Sequence, residues 1–371
     1  MQRWLRRFPA PFTVAALMGL GAVVSWSVPA QQVPVLNFDA DIDFPKLPQD
    51  LYLGEVTGVA VNSKGHVFVF SRGNTTGPAY GATAAQLLEF GRDGKFIREI
   101  GKNLYAWSYA HTVRIDKDDN IWAVDKGSDM VIKFNPEGRV TMVFGRKKEA
   151  SDEAVPWTRV TPPRPAVDGM FRQPTDVTWD TEGNIFISDG YINSRVAKFD
   201  KNGNWVKQWG DRGNKPGEFN TPHSIAADAR GNIYVADRGN RRIQVFDPNG
   251  TLIRMITIDV PFDPATRPAL GNMPSPEAAA AQNGAPWAIC ITPGPNQVLY
   301  SSDAYPGRLY KLTLDGKVLG VVGKSGKQPK QFGWIHEIAC PSENEIYVAE
   351  LLNWRIQKLT LHPEARQMSR R

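Results

Sequence analysis

Three of the five histidines in this 371-residue chain stand in phase. Counted back from the last residue of a recurring strand segment, His111 lies fourteen residues before Asp125, His223 fourteen before Asp237 and His336 fourteen before Glu350. Neutral imidazole is a common metal ligand. Three imidazoles brought to one point make a three-coordinate centre with open positions, the arrangement of a catalytic rather than a closed structural zinc. Iron, copper and nickel accept imidazole as well. The alternative is three ordinary polar residues at strand starts, which the shared register disfavours. His66, in a turn, and His362, near the C-terminus, fall outside the register and are expected to be bystanders.

The elements that must position these histidines come from an internal repeat. Segment 180–189, DTEGNIFISD, recurs at 228–237 as DARGNIYVAD, with weaker copies at 116–125, 62–71, 341–350 and, with an insertion, 292–303. Each copy is a tight polar turn followed by a run of β-formers. Two further strands follow most copies, as in segment 195–209. Four strands per repeat of about 48 residues indicate propeller blades. The fold expected is therefore all-β, a six-bladed β-propeller of four-stranded blades at about 55–101, 105–145, 173–210, 220–258, 284–323 and 333–361. A strand near Val35 to Phe38 is expected to complete the last blade. The histidines then open the innermost strands of blades two, four and six, about 120° apart on one rim of the channel.

Chain direction places further residues on that rim. Loops after second strands, and loops between blades, return to the histidine side. Arg72, Tyr191 and Arg238 lie at or just past second-strand ends. A guanidinium there can hold a carboxylate bidentately, and a tyrosine beside a metal suits a general base. The long insertions Gly73 to Ala84, Arg146 to Gly169 and Pro261 to Ala285 fall on the same face, as a pocket wall or lid would.

Composition bounds the class of partner. Residues 1–30 read as a secretory signal peptide: Arg3, Arg6 and Arg7, then an apolar run from Phe12 to Val24, then Val28 and Ala30 at the minus-three and minus-one positions of a cut before Gln31. The rest, 31–371, reads as one exported domain, periplasmic or secreted. Without the leader the chain holds 41 basic and 38 acidic residues. That near balance, with no basic aromatic stripe, argues against nucleic acid. No other segment is apolar enough to span a membrane, and a monomer is expected. Cys290 and Cys340 are the two cysteines; export permits a disulfide, and free buried thiols are an equal alternative.

Blades with segments such as NTPHSIAAD (220–228) and RGNRRIQVF (238–246) resemble NHL-repeat propellers. More specifically, GKNL at 101–104 ahead of His111, QPTDV at 173–177, SDGYINSR at 188–195, QWG at 208–210, PHS at 222–224 and VADRGNRRIQ at 235–244 resemble, in order, the peptidyl-α-hydroxyglycine α-amidating lyases. The resemblance implies a zinc held by His111, His223 and His336, a catalytic Tyr191, and active-site arginines Arg72 and Arg238. It also implies a structural calcium held by the carbonyls of Val59 and Val113 and the side chain of Glu337. The implied reaction splits a carbinolamide, N–CH(OH)–COO⁻, into an amide and glyoxylate, with a small-molecule or peptide substrate carrying an α-hydroxy amide and a carboxylate. No organic cofactor is implied.

The chain departs from that family in places. Arg172 and Ile192, and Tyr234 and Val245, stand where the family has disulfides. Trp334-Ile335 precedes His336 in place of Met-Pro, and Glu337 replaces an aspartate. No copper monooxygenase segment accompanies the propeller, so a different small α-hydroxy amide or ureide is the expected natural substrate. Two other classes compete: a non-catalytic exported NHL propeller acting as a binding or scaffold protein, and a metal-dependent hydrolase or lactonase. The latter hold calcium through carboxylates and amides, so three in-phase histidines count against it.

Overall fold

The computed structural model describes residues 33–73, 85–148 and 159–362. The expected leader, most of the first insertion, the middle of the second, and the basic tail 366–371 lie outside these residues.

The repeated turn explains itself chemically. Asp180 Oδ1 accepts the N–H groups of Glu182 and Asn184 at 3.0 and 2.9 Å, and Asp228 Oδ1 those of Arg230 and Asn232, both at 2.9 Å. Gly183 and Gly231 take φ of +86° and +83°, where a side chain would be strained. The five-residue strands that follow, Ile185–Asp189 and Ile233–Asp237, are buried at every position. Each lies with both faces covered by neighbouring blades, so a continuous apolar run serves better than alternation. Outer strands show the converse: Trp205–Trp209, WVKQW, exposes its three central residues.

The described residues form six four-stranded antiparallel sheets in the expected order, so the fold is an all-β six-bladed propeller. Neighbouring blades share apolar clusters. Between blades 1 and 2, for example, Phe70 packs on Trp107 at 4.9 Å and Trp107 on Phe134 at 6.0 Å between ring centroids.

Closure differs from the expectation in register. Val35 bridges in parallel to Val321, in the outer strand of blade 5 (Val318–Val322). The strand that completes blade 6 is Phe38–Asp41, paired antiparallel to Arg355–Leu361. The N-terminal segment thus ties two blades rather than one. A disulfide between Cys290 and Cys340 joins the same two blades. Cross-linking chain positions 50 residues apart constrains the unfolded ensemble and stabilises such a ring by about 2–4 kcal/mol.

Candidate metal centre

The rim is built from a residue at or next to the end of each second strand. Asp125 accepts the N–H groups of Ser108 and Tyr109, Asp189 that of Arg172, Asp237 that of Asn220, Asp303 that of Gly284 and Glu350 that of Gly333. In blade 1 the Ser71 hydroxyl takes this part for Gly54. All six are fully buried. Each clamps the loop that leads into its own blade's inner strand. Burial pushes the Asp125, Asp237 and Asp303 carboxyls up, against several bonds that favour the charged form.

Just past these clamps the inner strands begin with a β-bulge. The register shifts between Ala110 and Thr112, between Pro222 and Ser224, and between Ile335 and Glu337. His111, His223 and His336 are the extra residues, and a bulge re-aims a side chain out of the pleat. The three rings meet in the channel with centroids 4.6, 4.8 and 4.9 Å apart. Their ligand atoms all lie within 4.8 Å of one another, and the rings are almost wholly buried.

The other three blades fix the tautomers. His111 Nδ1 lies 2.6 Å from the Thr175 carbonyl, His223 Nδ1 2.6 Å from that of Trp287, and His336 Nδ1 2.8 Å from that of Thr57. A carbonyl only accepts, so Nδ1 carries the proton and each Nε2 presents a lone pair to the centre. Such outer contacts orient metal-ligating imidazoles and raise their basicity toward the ion. Burial, with neighbouring positive groups, holds all three imidazoles well below their ordinary value of 6.5, so they are neutral at neutral pH. Three neutral, pre-aimed imidazoles fit a zinc ion with open positions. His66 pairs with Glu89 and His362 with Asp39, both away from this centre.

Tyr191 stands directly over the cluster. Its hydroxyl is 3.1 Å from His223 Nε2 and 3.4 Å from His111 Nε2. Arg72 pairs with Glu55, reaches the Ala110 carbonyl at 3.3 Å and lies on the Tyr109 ring at 3.7 Å. Arg238 lies 4.3 Å from the Trp287 ring and 5.6 Å from the Tyr191 ring. Arg72, Tyr191 and Arg238 thus lie beside the three histidines.

Four further rim residues are not among those singled out above. Lys126 is one residue past a second-strand end, the same position as Arg72 and Arg238, so the strand-end rule points to it. Its ammonium lies 3.8 Å from the Tyr191 ring centroid, and burial together with Arg72 and Arg238 brings its pKa down to about 8. Trp287 packs on His223 at 5.2 Å and on Trp334 at 5.3 Å, giving the centre an indole wall on one side. Thr175, like Thr57, lies fourteen residues before a second-strand end, as the histidines do; Trp287 lies sixteen before Asp303 because that hairpin is longer. The signal was in the register, but their contribution is a carbonyl, which no side-chain type announces.

One layer deeper the calcium set implied by the resemblance meets a different arrangement. Glu337 Oε2 accepts the N–H of Val113 at 3.1 Å, and the Val59 N–H also favours its charged form. The Arg114 guanidinium fills the adjoining channel. It donates to Asp176 at 2.9 and 2.5 Å, and to the carbonyls of Ile338 and Ile289 at 3.4 and 3.3 Å. Glu337 Oε1 lies 2.9 Å from Arg114 Nε, whose single N–H points to Asp176, so charge rather than a hydrogen bond holds it. Burial opposes the Arg114 charge, yet Asp176 and Glu337 together raise its pKa above the usual. Calcium requires six to eight oxygens. Here Glu337 faces two N–H donors and a permanent cation. Val59, Val113 and Glu337 do converge, but as arranged they do not fit calcium.

Comparison with known proteins agrees with the fold. A family described as a 6-bladed beta-propeller matches residues 170–270. Peptidyl-alpha-hydroxyglycine alpha-amidating lyase 1 of Drosophila melanogaster is 27% identical over 349 residues, covering 85% of this chain and 59% of its own. NHL repeat-containing protein 3 of Mus musculus is 31% identical over 224 residues, covering 57% of this chain and 56% of its own. The chain thus spans less than two thirds of either relative. The crystal structure of virginiamycin B lyase from Staphylococcus aureus superposes with a TM-score of 0.52 at 16% identity, covering 88% of this chain and all of that one, which shows a shared fold. The chain is a six-bladed β-propeller similar in sequence to peptidyl-α-hydroxyglycine α-amidating lyases and to NHL-repeat proteins.

Proposed function

We propose that this chain is a zinc-dependent lyase that cleaves the C–N bond of an α-hydroxyglycine-type carbinolamide to give an amide and glyoxylate. The observation that carries the reading is the Tyr191 hydroxyl, set 3.1 and 3.4 Å from the inward nitrogens of two of three pre-aimed imidazoles. Similarity to a relative named as an amidating lyase supports it.

His111, His223 and His336 would hold the ion. A zinc there supplies Lewis acidity that makes a substrate hydroxyl easier to deprotonate. Arg238 or Arg72 binds the substrate carboxylate and fixes the reacting carbon beneath Tyr191. Tyr191 takes the hydroxyl proton as general base. The C–O bond becomes the aldehyde of glyoxylate, the C–N electron pair leaves with nitrogen, and nitrogen gains the proton that Tyr191 took from the hydroxyl. The oxidation level is unchanged, so no redox partner is needed. Trp287 and Trp334 keep water from one side of the centre.

The test is glyoxylate release from an α-hydroxyacylglycine by the purified, zinc-loaded protein. Saturable release, absent from Tyr191→Phe, supports the reading. A zinc-loaded protein that releases none overturns the substrate assignment. The second reading, an exported NHL propeller serving as a binding or scaffold protein, is favoured by the similarity to an NHL repeat-containing protein. It predicts no stoichiometric metal. Export itself is proposed from segment 1–30.

A further inference from the structure

Along the blades, arginines are met by acids: Arg195 pairs with Asp189, Arg242 with Asp237 and Arg355 with Glu350. A second group of arginines is anchored differently. Arg159, Arg164, Arg172 and Arg212 line one small cleft, together with Val160 and Ile192. Arg159 and Arg164 lie in the long insertion between blades 2 and 3, Arg172 in the loop entering blade 3, and Arg212 in the link from blade 3 to blade 4. Among the described residues, no carboxylate lines this cleft.

The anchors of these guanidiniums are neutral oxygens. Arg159 donates from Nε to the Tyr191 carbonyl at 2.7 Å, from Nη1 to Asn220 Oδ1 at 3.1 Å, and from Nη2 to the Thr221 hydroxyl. Arg172 Nη1 donates to the Pro165 carbonyl at 3.1 Å and to Asn193 Oδ1 at 3.0 Å. Arg212 Nη1 donates to the Val160 carbonyl at 3.4 Å. Such bonds fix a cation's place without neutralising it. Arg172 has the Asp189 carboxylate near enough to favour its charge, whereas Arg159, Arg164 and Arg212 make no ion pair among the described residues. Arg159 is half-buried, and burial together with the charges of Arg212 and Arg238 brings its pKa down. Like charges gathered in a partly desolvated place are relieved by an anion.

The cleft is too small to take a ring or a stretch of chain, so its ligand is compact. A carboxylate offers two oxygens in one plane, which suits a single guanidinium fork. A tetrahedral oxyanion offers oxygens on several sides and can meet more than one fork at once. We infer that this cleft binds a tetrahedral oxyanion of the phosphate class, free or as the terminal phosphoryl group of a small molecule. The bound ion would tie the insertion to blade 3 and to the link beyond it, close to the Tyr191 backbone. This goes beyond the lyase reading and does not depend on it.

The test is calorimetric titration of the purified protein with inorganic phosphate, glycerol phosphate and acetate, at constant ionic strength. At least one of the two phosphates should bind at least about tenfold more tightly than acetate. Tighter binding of inorganic phosphate assigns the free ion, and tighter binding of glycerol phosphate assigns the phosphoryl group. Arg164 and Arg212 are exposed, so their replacement should leave the phosphate-free thermal midpoint near the parent's. Arg164→Gln and Arg212→Gln should each weaken the preferred phosphate at least about fivefold, and together abolish its binding. Arg212→Lys, which keeps the charge and loses the fork, should fall between the parent and Arg212→Gln. Three results would overturn the proposal: no saturable binding of either phosphate below about 10 mM, acetate bound as tightly as both, or an affinity that survives the double variant. The last would place the ion at the histidine centre instead.

Discussion

Two charged layers lie one above the other in the same channel, and they are built oppositely. In the lower, Arg114 joins Asp176 and Glu337 and touches the carbonyls of Ile338 and Ile289, while Glu337 takes the N–H of Val113. Its charges are met by protein groups. In the upper, the blades without histidines give carbonyls to Nδ1 of those with them, and three Nε2 lone pairs face one another. The upper layer is oriented with as much care but leaves its best ligand atoms pointing at a shared centre. A buried polar group that finds its partner within the fold contributes to structure. One held by the fold and aimed, with two others like it, at a shared centre is the signature of a site for something else.

Breaking the lower layer should cost stability most. Arg114→Met leaves two buried carboxylates without their cation, an expected loss of about 3–5 kcal/mol in denaturant unfolding. A loss below about 1 kcal/mol would mean the lower layer is not a structural cluster. Breaking the upper layer should instead cost chemistry. Tyr191→Phe is expected to lower kcat for glyoxylate release by about 10²–10⁴-fold, with a thermal midpoint close to the parent's. A variant that unfolds easily would place Tyr191 in the structure rather than in the reaction.

The pH dependence of the metal-free protein sharpens the same contrast. The three imidazoles are held below 6.5 in the fold, chiefly by burial, while unfolded histidine takes up a proton below about that value. The unfolded state then binds more protons, so stability is present above pH 6.5 and lost as pH falls beneath it. Each histidine contributes up to about 1.4 kcal/mol per pH unit. Replacing all three by asparagine should flatten this slope in unfolding curves. Asp129, raised to about 6 mainly by burial, acts in the opposite sense but is common to both proteins and cancels. The smallest effect concerns calcium. Because Arg114 already supplies the channel cation, calcium added to chelator-treated protein should leave the thermal midpoint unmoved; a clear rise would show that the lower layer accepts the ion.

Much of this was legible in the repeat. The Asp-x-x-Gly-Asn turn and the acid closing the second strand in five of the six blades are side-chain requirements, so they recur as letters and give blade count, direction and the histidine register together. The bulges at His111, His223 and His336 were not legible, because a bulge is an extra backbone residue and no side chain marks it. Thr57 and Thr175 escaped since they act through carbonyls. Arg114 escaped for a different reason: it belongs to the inner strand three residues past His111, and only its length lets the guanidinium reach Asp176 and Glu337. The closing strand was placed three residues early because Val35 and Phe38 both read as strand, yet serve different blades.

The most direct test of the account is the metal content of the purified mature protein by elemental analysis, beside that of His223→Ala. The account predicts about one zinc, or another imidazole-binding transition metal, per chain, lost in the variant while the propeller remains folded. A parent protein with no stoichiometric metal after incubation with zinc, or a variant that holds as much as the parent, would contradict it.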